Sequence, residues 1–243
     1  LVATGEFSVE AVGDTMHQMT LLLENLVRFG GVMREMQSLL DHSEYTYRHS
    51  LDTMFISVLL AKKLEENGII EKLTPERMLT LATGAFFHDI GKLNVPKDIV
   101  DKPGPLTNDE YEQMKGHVMS EKNEDTLKLL ASKLGKHIGC IDMDVVSAMC
   151  MGHHHREDGR GYSPKIFKGL SQNLQGHEFV KILTISDAVD AMLKKRQYKD
   201  EMHPTDVAAQ LVNGRGTQFK AEFVDKMLDI LIRYPENSLV VLQ

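Results

Sequence analysis

Apolar residues in this chain recur every three or four positions along almost its whole length, and no convincing run alternates polar with apolar as a half-buried strand would. That periodicity restricts the chain to packed helices, an all-α bundle. Helical patterns are predicted over about 14–40, 45–67, 74–89, 116–134, 142–152, 177–195, 205–213 and 221–234. Local signals mark several ends. Gly68 follows the second pattern as a natural C-terminal stop, and Thr74-Pro75 opens the third with proline in the first turn. Thr107-Asn108-Asp109-Glu110 has the form of a capping box that starts another helix. Two stretches read as loops, the proline-bearing 94–105 and the glycine-rich 156–169.

The first pattern is the longest. Within it Met19, Leu22, Leu26, Phe29, Met33, Met36 and Leu40 step alternately by three and four, the spacing of a coiled-coil seam. A homodimer through this N-terminal helix is one reading of the stripe, and packing on the domain's own core is the other. Gly30-Gly31 inside it weakens the helix by roughly 1 kcal/mol per glycine. The expected division is an N-terminal helical segment over 1–43, a linker or dimerisation helix, followed by a single domain over 44–243.

Composition fits that picture, with 42% hydrophobic residues for a core and 26% charged residues for a surface. The net charge of −7 gives no support for a nucleic acid polymer as partner, which needs a basic face. Positive charge is local, in Lys194-Lys195-Arg196 with Lys199, and suits a small anion. Two cysteines, Cys140 and Cys150, are too few for a secreted disulfide scaffold and point to a reducing cytoplasm. No apolar run approaches the roughly 20 residues of a membrane span. The chain opens on Leu1 rather than Met, which leads us to expect a fragment of a longer protein with a sensory or receiver domain upstream.

The chemistry concentrates in imidazoles and carboxylates. Phe86-Phe87-His88-Asp89-Ile90-Gly91-Lys92 closes the third helical pattern, and His117, the pair His153-His154, Asp187 and Asp190 follow, with His49 upstream. Neutral imidazole and carboxylate are ligands for divalent transition metals. Consecutive residues on a helix point about 100° apart, so His88 and Asp89 cannot chelate one ion as an i, i+4 pair. They can serve two ions if the aspartate bridges. Asp187 and Asp190 share a helical face. Singly, each such residue is commonplace; His17, His42, His137, His177 and His203 read as ordinary surface groups, and His154 and His155 also fit a surface loop. What carries weight is the ordered set on separate segments.

That set resembles the HD-GYP phosphodiesterases, a branch of the HD-domain metallohydrolases, over roughly 44–234. The resemblance rests on HDIGKLNVP at His88 to Pro96, KPGPLTNDEYEQMKGH at Lys102 to His117 and HHHREDGRGYS at His153 to Ser163. It continues with SDAVDAMLKKRQYK at Ser186 to Lys199 and GTQF at Gly216 to Phe219. It implies an HD-domain helical bundle and a dinuclear-metal phosphodiesterase that hydrolyses cyclic di-GMP to pGpG or on to GMP in bacterial signalling. The implied metal ligands are His49, His88, Asp89, His117, His153, His154 and Asp187, with Asp89 bridging and, with Lys92, catalytic. Lys92, Arg196 and Lys199 would contact substrate phosphate, and Asp190 joins that group where some members add a carboxylate. The implied cofactors are two divalent ions, iron or manganese, with zinc, nickel or magnesium as alternatives. Mixed imidazole and carboxylate donors suit iron, manganese or zinc better than magnesium. For Lys194 and Lys195 a solvated helix end, favoured by the macrodipole, is an equal reading.

The chain departs from the family pattern in places. His155 stands where a glutamate is usual and Ser163 where the third motif residue is proline, so the triplet reads Gly161-Tyr162-Ser163. Val118 and Glu121 replace a customary proline and glycine. Members with three metals place a glutamate four residues before the first histidine; Tyr45 occupies that position, and two ions are therefore expected. Serine frees backbone that proline would fix. Two alternatives follow from the altered loop: a weak or inactive receptor or interaction module, and an HD hydrolase for another nucleotide phosphoester. Nothing identifies the acid that protonates the leaving oxygen; Lys92 and a metal-held water are the two candidates.

Overall fold

The computed structural model describes residues 30–135, 140–162, 174, 176–194 and 202–231. These form an all-α bundle; the one β-type pairing among them is an isolated bridge between Arg215 and Phe219. Helix α1 spans Gly30–His42 and α2 spans Glu44–Glu66. Ser43 separates them in an extended conformation, its hydroxyl accepting from the Thr46 N–H to start α2. α2 runs through the middle of the molecule. Its buried side includes small polar residues (Ser50, Thr53, Ser57) beside Met54, Leu60 and Leu64, and it packs against α3 (Pro75–Phe87), α8 (Glu178–Leu193) and α10 (Ala221–Leu231).

α3 is capped by Thr74, begins with proline and is buried at every residue from Thr80 to Phe87. It gives way to a 3-10 turn at Ile90–Asn94 and a short helix α4 at Lys97–Val100. The capping box forms as expected, with Thr107 and Glu110 exchanging side-chain bonds to each other's N–H at the start of α5 (Asn108–Met119). α6 (Glu121–Gly135), α7 (Met143–Gly152) and α9 (Pro204–Gly214) complete the set. Phe86, Phe87, Phe179 and Phe223 are fully buried in one continuous core. Each such ring contributes about 1.5–3 kcal/mol relative to exposure.

The structure corrects some sequence expectations. The segment around 116 is not a helix start: α5 runs through Gly116 and His117, and the break falls at Ser120, whose backbone is extended (ψ 150°). His117 therefore lies in the last turn of α5. The proline-bearing loop holds the short α4. His177 and His203, read as plain surface groups, each cap a helix, with Nδ1 accepting from the N–H two residues on (3.1 and 3.4 Å). Of the N-terminal stripe, Met19 to Phe29 lie outside the described residues. In α1, Met36 and Leu39 are buried in the core while Leu40 is 37% exposed, so this stretch packs on the domain itself, against α2, the 3-10 turn and α6. Among the described residues no helix is long and apolar enough to cross a membrane.

Candidate metal centre

Five helix segments deliver the ligand candidates to one point, His117 coming from the last turn of α5. His49 is mid-helix in α2 and Asp187 mid-helix in α8. His88 and His153 are the C-terminal caps of α3 and α7, so Asp89 and His154 are the first residues beyond the helices. His88 and His153 keep helical φ and ψ, and the chain turns off the helix at Asp89 (φ −96°, ψ 11°); both members of each consecutive pair reach the cluster. The two ends are joined directly, the Cys150 thiol donating to the Phe87 carbonyl (3.3 Å).

Asp89 lies at the centre of the cluster, 2% exposed. Its Oδ2 is 3.4 Å from His88 Nε2 and 3.8 Å from His49 Nε2. Its Oδ1 is 3.4 Å from His117 Nε2 and 3.8 Å from His153 Nε2. His49 Nε2 also meets Asp187 Oδ1 at 2.9 Å. The ligand atoms of His49, His88 and Asp187 lie within 4.8 Å of one another, as do those of His117, His153 and His154. Ligands about 2.0–2.2 Å from a shared ion stand about 3.0–3.5 Å apart. The spacing thus fits two neighbouring ions with one Asp89 oxygen turned toward each.

The imidazoles are oriented for that task. The Nδ1–H groups of His88, His117 and His153 donate to the carbonyls three residues earlier, Ala85 (2.7 Å), Met114 (2.6 Å) and Cys150 (2.9 Å). Each bond fixes the tautomer that leaves the Nε2 lone pair facing inward. His88 Nε2 is fully buried without a hydrogen-bond partner. Such an orphan costs about 1–3 kcal/mol unless something binds it. Lone pair, burial and donor set together fit a divalent transition metal.

His49 is anchored differently: its Nδ1 meets Asp190 Oδ2 at 2.5 Å. Asp190 is 3% exposed and sits behind His49, away from the cavity. The sequence placed it with the substrate-contacting groups; in the structure its carboxylate bonds the ring of a ligand candidate, as groups that orient metal ligands do.

Charge follows position. Burial opposes the Asp89 carboxylate, but Lys92, whose Nζ lies 2.5 Å from Oδ2, and the His88 and His117 imidazoles outweigh it and hold it ionised well below the usual carboxylate range. Asp187 is likewise held low: burial opposes its charge, and the bond to His49 overcomes it. Burial pulls His117 down to about 3, and it lowers His153 and His154 too, so all three are neutral donors at pH 7. His49 goes the other way: burial lowers it, but the bonds to Asp187 and Asp190 prevail and push it up to about 9.

The cluster floors a cavity of about 630 Å³, reached by His49, Asp89, Lys92, His117, His154 and Asp187. Tyr45, Tyr111 and Tyr162 stand around it. Tyr162 stacks on the His154 ring with centroids 4.4 Å apart and an angle of 26°. Two motif glycines allow this closeness. A Cβ on Gly91 would lie 1.9 Å from the His117 carbonyl oxygen, and one on Gly161 would lie 2.2 Å from that of His154. The loop holding Tyr162 is braced by the two-pronged Arg156–Asp158 pair (3.0 and 2.8 Å) and by the Asp158 N–H on the Thr217 carbonyl.

All seven expected ligands therefore converge, and Lys92 joins them. Arg196, Lys199 and Ser163 lie outside the described residues. Sequence reasoning missed Tyr111 as a cavity residue and the ligand-orienting position of Asp190; only the i, i+3 relation to Asp187 hinted at the second.

The family model described as HD domain matches residues 46–192. The chain is 31% identical to a probable cyclic di-GMP phosphodiesterase of Vibrio cholerae, over 75% of this chain and 40% of that protein. It is 28% identical to a cyclic di-GMP phosphodiesterase of Pseudomonas aeruginosa, over 95% of this chain and 50% of that one. It is 30% identical to a 3'3'-cGAMP-specific phosphodiesterase of Vibrio cholerae, over 68% and 33%. It spans half or less of the length of these relatives. Its fold is similar to that of an HDG"Y"P protein from Bdellovibrio bacteriovorus, with a TM-score of 0.51 and 20% identity, covering 75% of this chain and 51% of that one.

Proposed function

Because the chain belongs to the HD domain family, we propose that it is a metal-dependent phosphodiesterase of the HD-GYP branch that hydrolyses a cyclic dinucleotide, cyclic di-GMP, with two divalent ions of iron or manganese. One observation carries the reading: the two oxygens of buried Asp89 each face a different set of imidazoles, at 3.4–3.8 Å. His49, His88 and Asp187 would hold one ion, and His117, His153 and His154 the other, with Asp89 between them. Such a pair, when bound, polarises the phosphodiester and activates water for in-line attack, so that no protein nucleophile is needed.

The chain's own groups supply the rest. The Nδ1–H bonds of His88, His117 and His153 keep those three Nε2 lone pairs aimed before substrate arrives, so less reorganisation is left to the reaction. Lys92 puts an ammonium at the cavity floor beside Asp89, where charge on phosphate oxygens would build up. Tyr111 and Tyr162 offer ring faces on which bases can stack. The Tyr162 ring stacked on His154 limits water at that end of the site.

The test is anaerobic purification with Mn²⁺ or Fe²⁺ and chromatography of products from cyclic di-GMP. Conversion to pGpG or GMP supports the reading, and a fully metallated protein that leaves the dinucleotide intact refutes it. The similarity to a cGAMP-specific relative motivates a second reading of the substrate, so 3'3'-cGAMP belongs beside cyclic di-GMP at fixed metal. A higher kcat/KM for 3'3'-cGAMP would shift the assignment.

A further inference from the structure

Three of the cluster's imidazoles are held by carbonyls of their own helices, acceptors fixed by the backbone. His49 is held by a side chain from another helix, which must itself be fixed if the ring is to be. The cation beside that side chain is Lys194. The same Asp190 oxygen that meets His49 Nδ1 lies 3.2 Å from Lys194 Nζ, and that ammonium also pairs closely with Asp52. The side chains form a line from surface to centre: Asp52 is 54% exposed, Lys194 25%, Asp190 4% and His49 2%.

The backbone sets this up. Lys194 is the C-terminal cap of α8, its N–H on the Asp190 carbonyl and its own φ and ψ extended (−92°, 138°). There it lies one turn beyond Asp190, within reach of it. Asp52 stands three residues after His49 on α2. Lys194 thus ties together α2 and α8, the two helices that supply His49 and Asp187. An exposed lysine pair alone is worth little. Here one partner is buried, where charge is screened less.

We propose that Lys194 is a positioning residue for the ion held by His49, His88 and Asp187: anchored on Asp52, it fixes the Asp190 carboxylate that orients His49. This rests on the ligand assignment above. Its effect belongs to one ion of the two, since His117, His153 and His154 lie on other segments.

The experiment is calorimetric titration of the full metal-free chain with Mn²⁺, in wild type, Lys194→Met and Lys194→Arg. The wild type should show two binding events. Lys194→Met, which keeps the apolar stem, should weaken one of them about tenfold, the lower end of the effect of losing a ligand-orienting partner. The other event should stay as it was, and Lys194→Arg, which keeps the cation, should restore the first. Asp52→Asn should weaken the same event by less. Two unchanged events in Lys194→Met, or two weakened equally, would overturn the proposal. A wild type that binds fewer than two ions would overturn the ligand assignment, and the proposal with it.

Discussion

Gly91→Ala is a substitution of one methyl group whose consequences can be worked from distances. The new Cβ would stand 1.9 Å from the His117 carbonyl oxygen and 2.6 Å from Asn123 Oδ1, where ordinary contact begins at 3.4 Å. The first obstacle is backbone and cannot rotate away, so the 3-10 turn must retreat from the end of α5 by about 1.5 Å, the difference between 3.4 and 1.9 Å. Overpacking of this kind costs about 1–3 kcal/mol. For a chain of this size that is a fall in melting temperature of about 2–12 °C. The turn starts just after Asp89, so the retreat also opens the 3.4 Å spacing between Asp89 Oδ1 and His117 Nε2. A misplacement of about 1 Å in a reacting site costs about 10²-fold. Thermal melts, Mn²⁺ affinity and kcat/KM on cyclic di-GMP are the assays, with Gly176→Ala as control because its Cβ meets nothing within 4 Å. A Gly91→Ala protein with wild-type melting and wild-type metal affinity would show that the turn does not need the bare Cα at this position.

Further outcomes follow from the same geometry. Asp89→Asn keeps the shape but removes the charge shared by four imidazoles and Lys92; activity should fall at least about 10²-fold and bound metal should drop, by elemental analysis and product chromatography. His49 in the metal-free chain, with its pKa pushed up to about 9, carries a proton at neutral pH that an ion must displace. Mn²⁺ binding at pH 7.5 should therefore release about one proton from this residue, seen as a buffer-dependent enthalpy that fades above pH 9; an enthalpy independent of buffer contradicts it. Because that folded pKa lies above the ordinary 6.5, its stabilising contribution is complete below 6.5 and lost as pH rises through 9. The melting temperature of the metal-free protein should drop over that window. Tyr162→Ala, which removes the ring stacked on His154, should weaken one Mn²⁺ event about tenfold while Tyr162→Phe leaves it alone, and equal effects would argue against the stacking role.

Much of this was legible in the sequence, for identifiable reasons. Caps at Thr74 and Thr107 are local hydrogen bonds between residues three apart, so sequence alone carries them. The candidate ligands were legible because they fall in short ordered blocks. Less legible was how adjacent ligands face one centre, which depends on His88 and His153 standing where helices end. The break at Ser120 has no proline or glycine to announce it; Gly116, four residues earlier, was the stronger signal and proved to be helical. Asp190 and Lys194 were ambiguous because their partners, His49 and Asp52, are remote in sequence and only α2–α8 packing brings them together. The capping bonds of His177 and His203 come from a residue type seldom expected to cap.

Whether Asp89 joins two ions is read directly by anomalous diffraction from crystals grown with Mn²⁺. Two peaks should stand about 3.5–4 Å apart, one against Oδ2 beside His49, His88 and Asp187 and one against Oδ1 beside His117, His153 and His154. A single peak, or manganese bound away from Asp89, would contradict it.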